Sequence, residues 1–330
     1  MVMTVWRSLE EIPPNMRSVA TIGNFDGVHR GHQKLARTCV DRAREREAVA
    51  VAITFYPHPV QVHAPEADLR LITTLEDRLD ALAGYGIDAT LVLEYNEDLY
   101  SQTPREFIEQ IVKHLGVMGI VVGEDVKFGK GNAGDINTMR ELGEEFGFEV
   151  FALDDIESEE GRRWSSSWIR DLLKEGDVKG AARVLGRPHR IRGIVQHGAK
   201  RGRELGFPTA NLDENADGVI PADGVYAGWL IRRVEGQPAG VFMPAAISVG
   251  TNPQFDGESR TVEAHVLGRS DLNLYGEEVA ISFIERLRGM TSFDSVDELL
   301  LQMDDDIRNA ASILGVAVSG RVDPAAVTAR

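Results

Sequence analysis

The sequence predicts two domains: an α/β domain on a parallel sheet over residues 1–186, then a mainly β domain, an antiparallel barrel or sandwich with a closing helix, over residues 187–330. Three observations carry this. At roughly 150 residues per domain, 330 residues provide for about two cores, and 43% hydrophobic residues suffice to fill them. Up to Leu185, short β-branched runs alternate with longer amphipathic stretches, the pattern of a parallel sheet covered by helices. After Gly186-Arg187-Pro188 the period changes to two, with Gly, Pro, Asn and Asp clusters between the runs.

The first domain reads in order as strand 19–22, helix 32–47, strand 49–55, helix 75–84, strand 89–93, helix 104–115, strand 120–122, helix 135–147 and strand 149–152. Its strands are short and almost continuously apolar, as strands buried on both faces are. Pro104 suits a first helical turn, and glycines follow several helix ends, where a left-handed residue is wanted. Asp177 N-caps a short helix ending near Leu185, and the domain boundary follows it. The second domain reads as strands 191–196, 224–231, 241–249, 261–267 and 278–283. Ser295 and Glu298 have capping-box spacing for the closing helix, whose apolar face runs through Leu299, Leu300, Met303, Ile307 and Ile313. The acidic stretch 154–160 reads as a solvated loop, and the residues from Gly320 onward as a frayed end.

Lys plus Arg total 36 and Asp plus Glu 52, a net charge of −16. That balance disfavours broad capture of nucleic acid or of an anionic membrane, because binding phosphates needs surplus cations. The single cysteine, Cys39, makes neither an internal disulfide nor a tetrathiolate zinc site. No apolar run approaches the roughly twenty residues of a membrane helix, and Glu10, Glu11, Pro13 and Pro14 come early, so neither secretion nor spanning is expected. The expectation is a cytoplasmic protein; its oligomeric state is not legible.

The first candidate site is the strand-to-helix segment Thr21-Ile-Gly-Asn-Phe-Asp-Gly-Val-His-Arg-Gly-His32. Its glycines let backbone approach a phosphate, the helix N-terminus offers free N–H groups, and His29 and His32 add donors to the same anion. Two other readings stay open on these residues alone. One is a simple glycine turn with ordinary histidines, and the other is a zinc site drawing on His29, His32, His58 and His63, although that spacing matches no familiar zinc pattern. Three further pieces each follow a strand or open a helix. Thr54-Phe-Tyr-Pro-His-Pro59 presents His58 on a proline-fixed turn. Gly123-Glu-Asp-Val-Lys-Phe-Gly-Lys-Gly131 lacks the spacing and final hydroxyl residue of a Walker loop, which disfavours a P-loop kinase. Trp164-Ser-Ser-Ser-Trp-Ile-Arg170 opens a helix with hydroxyls and places Arg170 about one turn in, suited to a polyphosphate tail or, more simply, to an N-cap with a surface arginine.

Between Arg183 and Arg203, across the domain boundary, an acidic chain gathers Arg183, Arg187, Arg190, Arg192, Lys200, Arg201 and Arg203, a local charge reversal that points to an anion. Thr209 and Asn211 follow, two neutral oxygen donors suited to a magnesium carried by nucleotide phosphates. The plainer alternative is a basic loop and a strand. Glu263 lies between Val262 and Ala264, so its side chain faces opposite to theirs, as a general base near a substrate hydroxyl or as a strand glutamate in water.

Taken together, GxFDGxHxGH, TFYPHP, VVGEDVKFG and SSSWIR, in this order and near this spacing, resemble the adenylyltransferase half of the bacterial bifunctional FAD synthetases, the riboflavin kinase/FMN adenylyltransferase family. Gly206-Phe-Pro-Thr-Ala-Asn211 and a looser match at 198–202 resemble the GFPTAN and GxGRG signatures of its kinase half. Residues 221–228, 248–255, 262–265 and 274–276 also match, so the resemblance covers roughly residues 18–310. It implies a Rossmann-like HxGH nucleotidyltransferase domain followed by a riboflavin kinase barrel. The implied activity is ATP-dependent phosphorylation of riboflavin to FMN, then adenylyl transfer from ATP to FMN giving FAD and pyrophosphate, with Mg2+ serving both steps.

The resemblance also implies residue roles. His29 and His32 contact ATP phosphates in a site shared with Gly23, Phe25, Asp26, Gly27 and Gly31, while Ser165, Ser166, Ser167 and Arg170 grip the leaving pyrophosphate. His58, Pro59, Asp125 and Phe128 meet the flavin. In the kinase half, Gly198, Lys200, Gly202, Thr209 and Asn211 bind ATP, the last two with the metal; Asn252 and Phe255 bind flavin. Glu263 draws the proton from the riboflavin 5'-hydroxyl as it attacks the γ-phosphate. The family usually has an acidic residue where Tyr56 stands, Thr where Ser167 stands and an aliphatic where Trp164 stands. Two rival readings are a riboflavin kinase whose adenylyltransferase half has lapsed, and a non-catalytic flavin- or nucleotide-binding regulator. Retention of His29, His32, Thr209, Asn211 and Glu263 argues against the regulator, since binding alone does not demand all five.

Overall fold

A computed structural model describes residues 3–67, 69–154, 161–197, 205–234, 237–251 and 260–321. The chain divides into two compact units, Met1–Arg70 with Thr74–Ser166, and Leu71–Thr73 with Ser167–Arg330. In the first, six parallel strands, β1 (Thr4–Trp6), β2 (Ser18–Ile22), β3 (Val49–Tyr56), β4 (Ala89–Glu94), β5 (Val117–Gly123) and β6 (Glu149–Leu153), lie in the order β1-β4-β3-β2-β5-β6. The connecting helices are α1 (Arg30–Glu45), α2 (Pro59–His63), α3 (Leu75–Gly84), α4 (Glu97–Tyr100), α5 (Pro104–Leu115) and α6 (Ile136–Phe146). The chain builds outward from β2 through β3 to β4, then returns to the far side of β2 for β5 and β6. The switch point between β2 and β5 opens the crevice in which such sheets bind ligands, at the C-terminal strand ends.

Alternate strand residues point to opposite faces. Val51, Ile53, Leu91 and Ile120 pack with Phe107, Ile108 and Ile111 of α5, whereas Val19, Ala50, Ala52 and Val121 pack with Ala36, Cys39 and Ala43 of α1 and Leu82 of α3. The predicted strands are all present, and β1 is added at the sheet edge. Helix α1 starts at Arg30, so His29 is its N-cap and His32 falls in its first turn. Thr103 closes a capping box with Glu106 at the start of α5, and Asp135 accepts from Asn137 N and Thr138 N at the start of α6.

Helix α7 (Ser166–Glu175) crosses the division between the units, and α8 (Val178–Leu185), N-capped by Asp177, follows. The division at Ser166/Ser167 precedes the 186/187 boundary expected from sequence. The physical reason is that α8 packs on the barrel strands described next, and the Leu173 carbonyl receives the Ala222 amide at 2.9 Å. That barrel is closed and antiparallel, with β7 (His189–Gln196), β8 (Ala210–Leu212), β9 (Gly224–Val234), β10 (Gln237–Thr251), β11 (Arg260–Val266) and β12 (Glu278–Arg288) in the order β10-β11-β8-β7-β12-β9. The strand pattern alone left barrel and sandwich open, the resemblance implied a barrel, and the sheet is closed as the resemblance implied. Gly228 of β9 sits so close to β12 that a Cβ would run into the Ser282 carbonyl and lie 2.5 Å from Ile247 Cδ1. The closing helix is α9 (Val296–Leu314), whose Ile307, Ala310 and Ala311 pack with Phe207, Ala227 and Leu267. Ser295 accepts from Glu298 N as expected, but the Glu298 carboxylate reaches back to Asp294 N instead of Ser295 N. Residues 155–160 of the acidic stretch and 322–330 of the tail lie outside the described residues. No helix among the described residues is long and apolar enough to cross a membrane.

Candidate active sites

The turn after β2 is held in an uncommon conformation. Phe25, Gly27 and Val28 have φ of 51°, 81° and 41°, which glycine adopts freely and a β-branched residue rarely does. Such strain persists only where the surroundings impose it; Phe25 and Val28 are fully buried, and the Val28 carbonyl receives Gln33 Nε2 at 2.9 Å. The His29 and His32 rings stack with centroids 3.7 Å apart, and Phe25 meets His32 edge-on at 5.2 Å. Between the histidines, a Cβ on Gly31 would lie 3.0 Å from the His29 ring, which explains the glycine. His32 Nδ1 is enclosed and has no hydrogen-bond partner among the described residues. Burial, followed by the positive neighbours His29, Arg78 and Arg163, holds the His32 imidazole well below its ordinary value. It is therefore neutral near pH 7 and carries one N–H.

Other expected residues gather at the same strand ends. The Ser166 hydroxyl donates to the Asp26 carbonyl at 2.8 Å, and the Arg30 guanidinium lies 5.9 Å over the Trp164 ring. His58 N-caps α2, its Nδ1 accepting from Val60 N at 3.2 Å, while the neighbouring Tyr56 is 48% exposed. After β5, Asp125 pairs with Arg163, and Phe128 is buried and bridged to Gly134. Ser167 and Arg170, on the same helix as Ser166, fall in the second unit. The zinc alternative finds no support: among the described residues no group of three His, Cys, Asp or Glu could hold a metal, and His63 Nε2 bonds Tyr95 Oη at 3.0 Å. Sequence reasoning missed Arg78, a fully buried arginine of α3 beside this turn. In Leu-Glu-Asp-Arg-Leu it reads as one more charge on an amphipathic helix.

In the second unit, β8 and β11 pair so that Asn211 lies opposite Glu263 and Ala210 opposite Ala264. Val262 and Ala264 are buried and Glu263 is only partly so, the alternation expected from its place in the strand. Thr209 Oγ1 donates to Glu263 Oε2 at 3.3 Å. With its amide nitrogen turned to the carboxylate, Asn211 donates to Glu263 Oε1 at 3.0 Å, and its Oδ1, 3.2 Å from Thr209 Oγ1, is the alternative acceptor for that hydroxyl's one proton. Burial raises the Glu263 carboxyl above its ordinary value and the Thr209 hydrogen bond opposes this. The Thr209 hydroxyl and the Asn211 amide carbonyl are neutral oxygen donors, which fit a hard cation such as magnesium. Behind it, His265 Nδ1 donates to the Pro208 carbonyl at 2.8 Å and its ring meets Phe207 edge-on at 5.6 Å, fixing the chain that leads into Thr209. Of the basic run, Arg192 is buried in β7 with its Nη1 3.8 Å from Glu278, so it serves the barrel. Gly198, Lys200, Gly202, Asn252 and Phe255, together with Arg201 and Arg203, lie outside the described residues.

Two family profiles divide the chain, FAD synthetase over residues 12–168 and riboflavin kinase over residues 185–314. The bifunctional riboflavin kinase/FMN adenylyltransferase of Escherichia coli (strain K12) is 34% identical over 304 residues, 92% of this chain and 95% of that one. The protein of the same name from Bacillus subtilis (strain 168) is 34% identical over 89% of this chain and 92% of its own; for Pseudomonas fluorescens the figures are 35%, 94% and 98%. A crystal structure titled as a macrolide-efflux protein from Streptococcus pneumoniae matches at a TM-score of 0.82 and 32% identity, covering 94% of this chain and 99% of that one. The two profiles in tandem and the full-length relatives agree on two activities in one chain. The chain belongs to the bifunctional riboflavin kinase/FMN adenylyltransferase family, a riboflavin kinase and an FMN adenylyltransferase in one polypeptide.

Proposed function

We propose that His29 and His32 carry adenylyl transfer in the first unit, and that Glu263, with Thr209 and Asn211, carries phosphoryl transfer in the second. The observation that supports this division is the stacked histidine pair at the N-terminus of α1, beside the β2/β5 switch point and in a different unit from Glu263. Negative charge grows on the ATP α-phosphate as the FMN phosphate attacks and pyrophosphate leaves. The backbone N–H groups of the first α1 turn and the N–H of neutral His32 are donors prearranged for that charge. No covalent intermediate is required. Ser165, Ser166, Ser167 and Arg170 are proposed to hold the departing pyrophosphate, and His58, Pro59, Asp125 and Phe128 to line the flavin site.

In the second unit Glu263 takes the 5'-hydroxyl proton of riboflavin as that oxygen attacks the γ-phosphate. Thr209 and Asn211 would hold magnesium, which when bound neutralises charge on the nucleotide phosphates. Gly198, Lys200 and Gly202 are proposed for the nucleotide and Asn252 and Phe255 for riboflavin, at a cytoplasmic location where ATP is supplied. Incubation of the purified chain with riboflavin, ATP and magnesium, resolved over time by chromatography, should show FMN first and FAD after it. FMN that never proceeds to FAD would refute the role given to His29 and His32.

A further inference from the structure

Arg78 has no part in the chemistry described so far, yet it heads the fully buried side chains by volume. Its Nη1 donates to Thr54 Oγ1 and to the Phe55 carbonyl, both at 3.2 Å, and Thr54 Oγ1 donates in turn to the Asn24 carbonyl at 3.2 Å. One side chain from α3 therefore ties the C-terminal end of β3 and, through a single hydroxyl, the strained turn after β2. Its Nε and Nη2 are enclosed with no hydrogen-bond partner among the described residues. A buried cation with bonds unmade is a weak structural tie, since apolar side chains of similar volume are often neutral or stabilising in its place. Its electrostatic neighbours belong to the site instead. Burial lowers its own pKa while Asp26 and Tyr56 oppose this, and the Arg78 charge in turn lowers that of His32.

We propose that Arg78 is a positioning residue for adenylyl transfer: through Thr54 it holds the Asn24 carbonyl and the turn 24–29 in the shape that presents His29 and His32 to phosphate, and its enclosed charge stands behind them as fixed positive potential. The proposal rests on the adenylyltransferase reading of this unit. Because Arg78 is fully buried, it acts through these neighbours and not by touching substrate.

The test compares R78M, R78K, T54V and the R78K/T54V double variant in the full-length chain, measuring kcat and KM for FAD formation from FMN and ATP. Riboflavin phosphorylation by the same samples is the internal control. R78M is expected to lower kcat for FAD formation about 100-fold, with KM values within about threefold of wild type and riboflavin phosphorylation unchanged. R78K should recover part of the loss. The double variant should be no slower than the slower single one, because both substitutions cut the same link. Losses that multiply in the double variant, or R78K and R78M both within twofold of wild type, would overturn the proposal. Should R78M fail to fold, the cycle of R78K and T54V decides alone. FAD formation by wild type in the same assay keeps this test separate from the adenylyltransferase reading, and its absence would overturn both.

Discussion

At Gly31 a methyl group would press on the His29 ring at 3.0 Å, whereas nothing about alanine disfavours the first turn of α1. Gly31→Ala should therefore leave the thermal midpoint of the protein unchanged while lowering kcat for FAD formation at least about tenfold. A stable variant with full FAD formation would mean the ring stacking is incidental. Cys39 is governed by its surroundings in another way. Burial pushes its thiol up to about 12, and Sγ donates to the Val19 carbonyl at 3.2 Å. The folded protein should show no reaction with a thiol reagent at pH 8 and one thiol per chain once denatured. At this scale the stacking of His29 with His32 and the grouping of Thr209, Asn211 and Glu263 were foreshadowed, because each of these residues stands in a short motif that singles it out. Arg78 and the positive φ of Val28 were not, since burial of a charge and strain in a turn arise from tertiary packing.

Among the elements, the helix ends were readable because caps are local. Thr103, Pro104 and Glu106 specify the start of α5 within four residues, and Thr103→Ala should cost about 1 kcal/mol, read as a lower denaturant midpoint of the adenylyltransferase unit with kinase activity unaffected. Strands β1 and β8, with three residues each, are too short to show a period; β1 was not predicted, and β8 entered only as the strand of the plainer reading of the basic run. Their pairing with β4, and with β7 and β11, makes them strands. The placement of α8 with the barrel was hidden for a related reason: an amphipathic helix shows which face is buried but not against what. Close strand contact leads to a further expectation. Gly228→Ala would force β9 off β12 and should destabilise the barrel by about 3 kcal/mol, reducing FMN formation while FAD formation from supplied FMN continues.

For the whole molecule, the change of period from helix-and-strand alternation to two was enough to recover an α/β unit followed by a β unit, and the tandem FAD synthetase and riboflavin kinase matches follow the same order. Strand order was not readable, and the barrel came from the resemblance and not from the strand pattern, because closure depends on pairings between residues far apart in the chain, such as Glu263 with Asn211 and Phe283 with Gly228. The central claim is that two separate sets of residues in one chain perform two successive reactions. It is tested most directly by following riboflavin, FMN and FAD in parallel for His32→Ala and Glu263→Ala. The account predicts that His32→Ala makes FMN at the wild-type rate and no FAD, and that Glu263→Ala makes no FMN from riboflavin but converts supplied FMN to FAD. Equal loss of both reactions in either folded variant would contradict it.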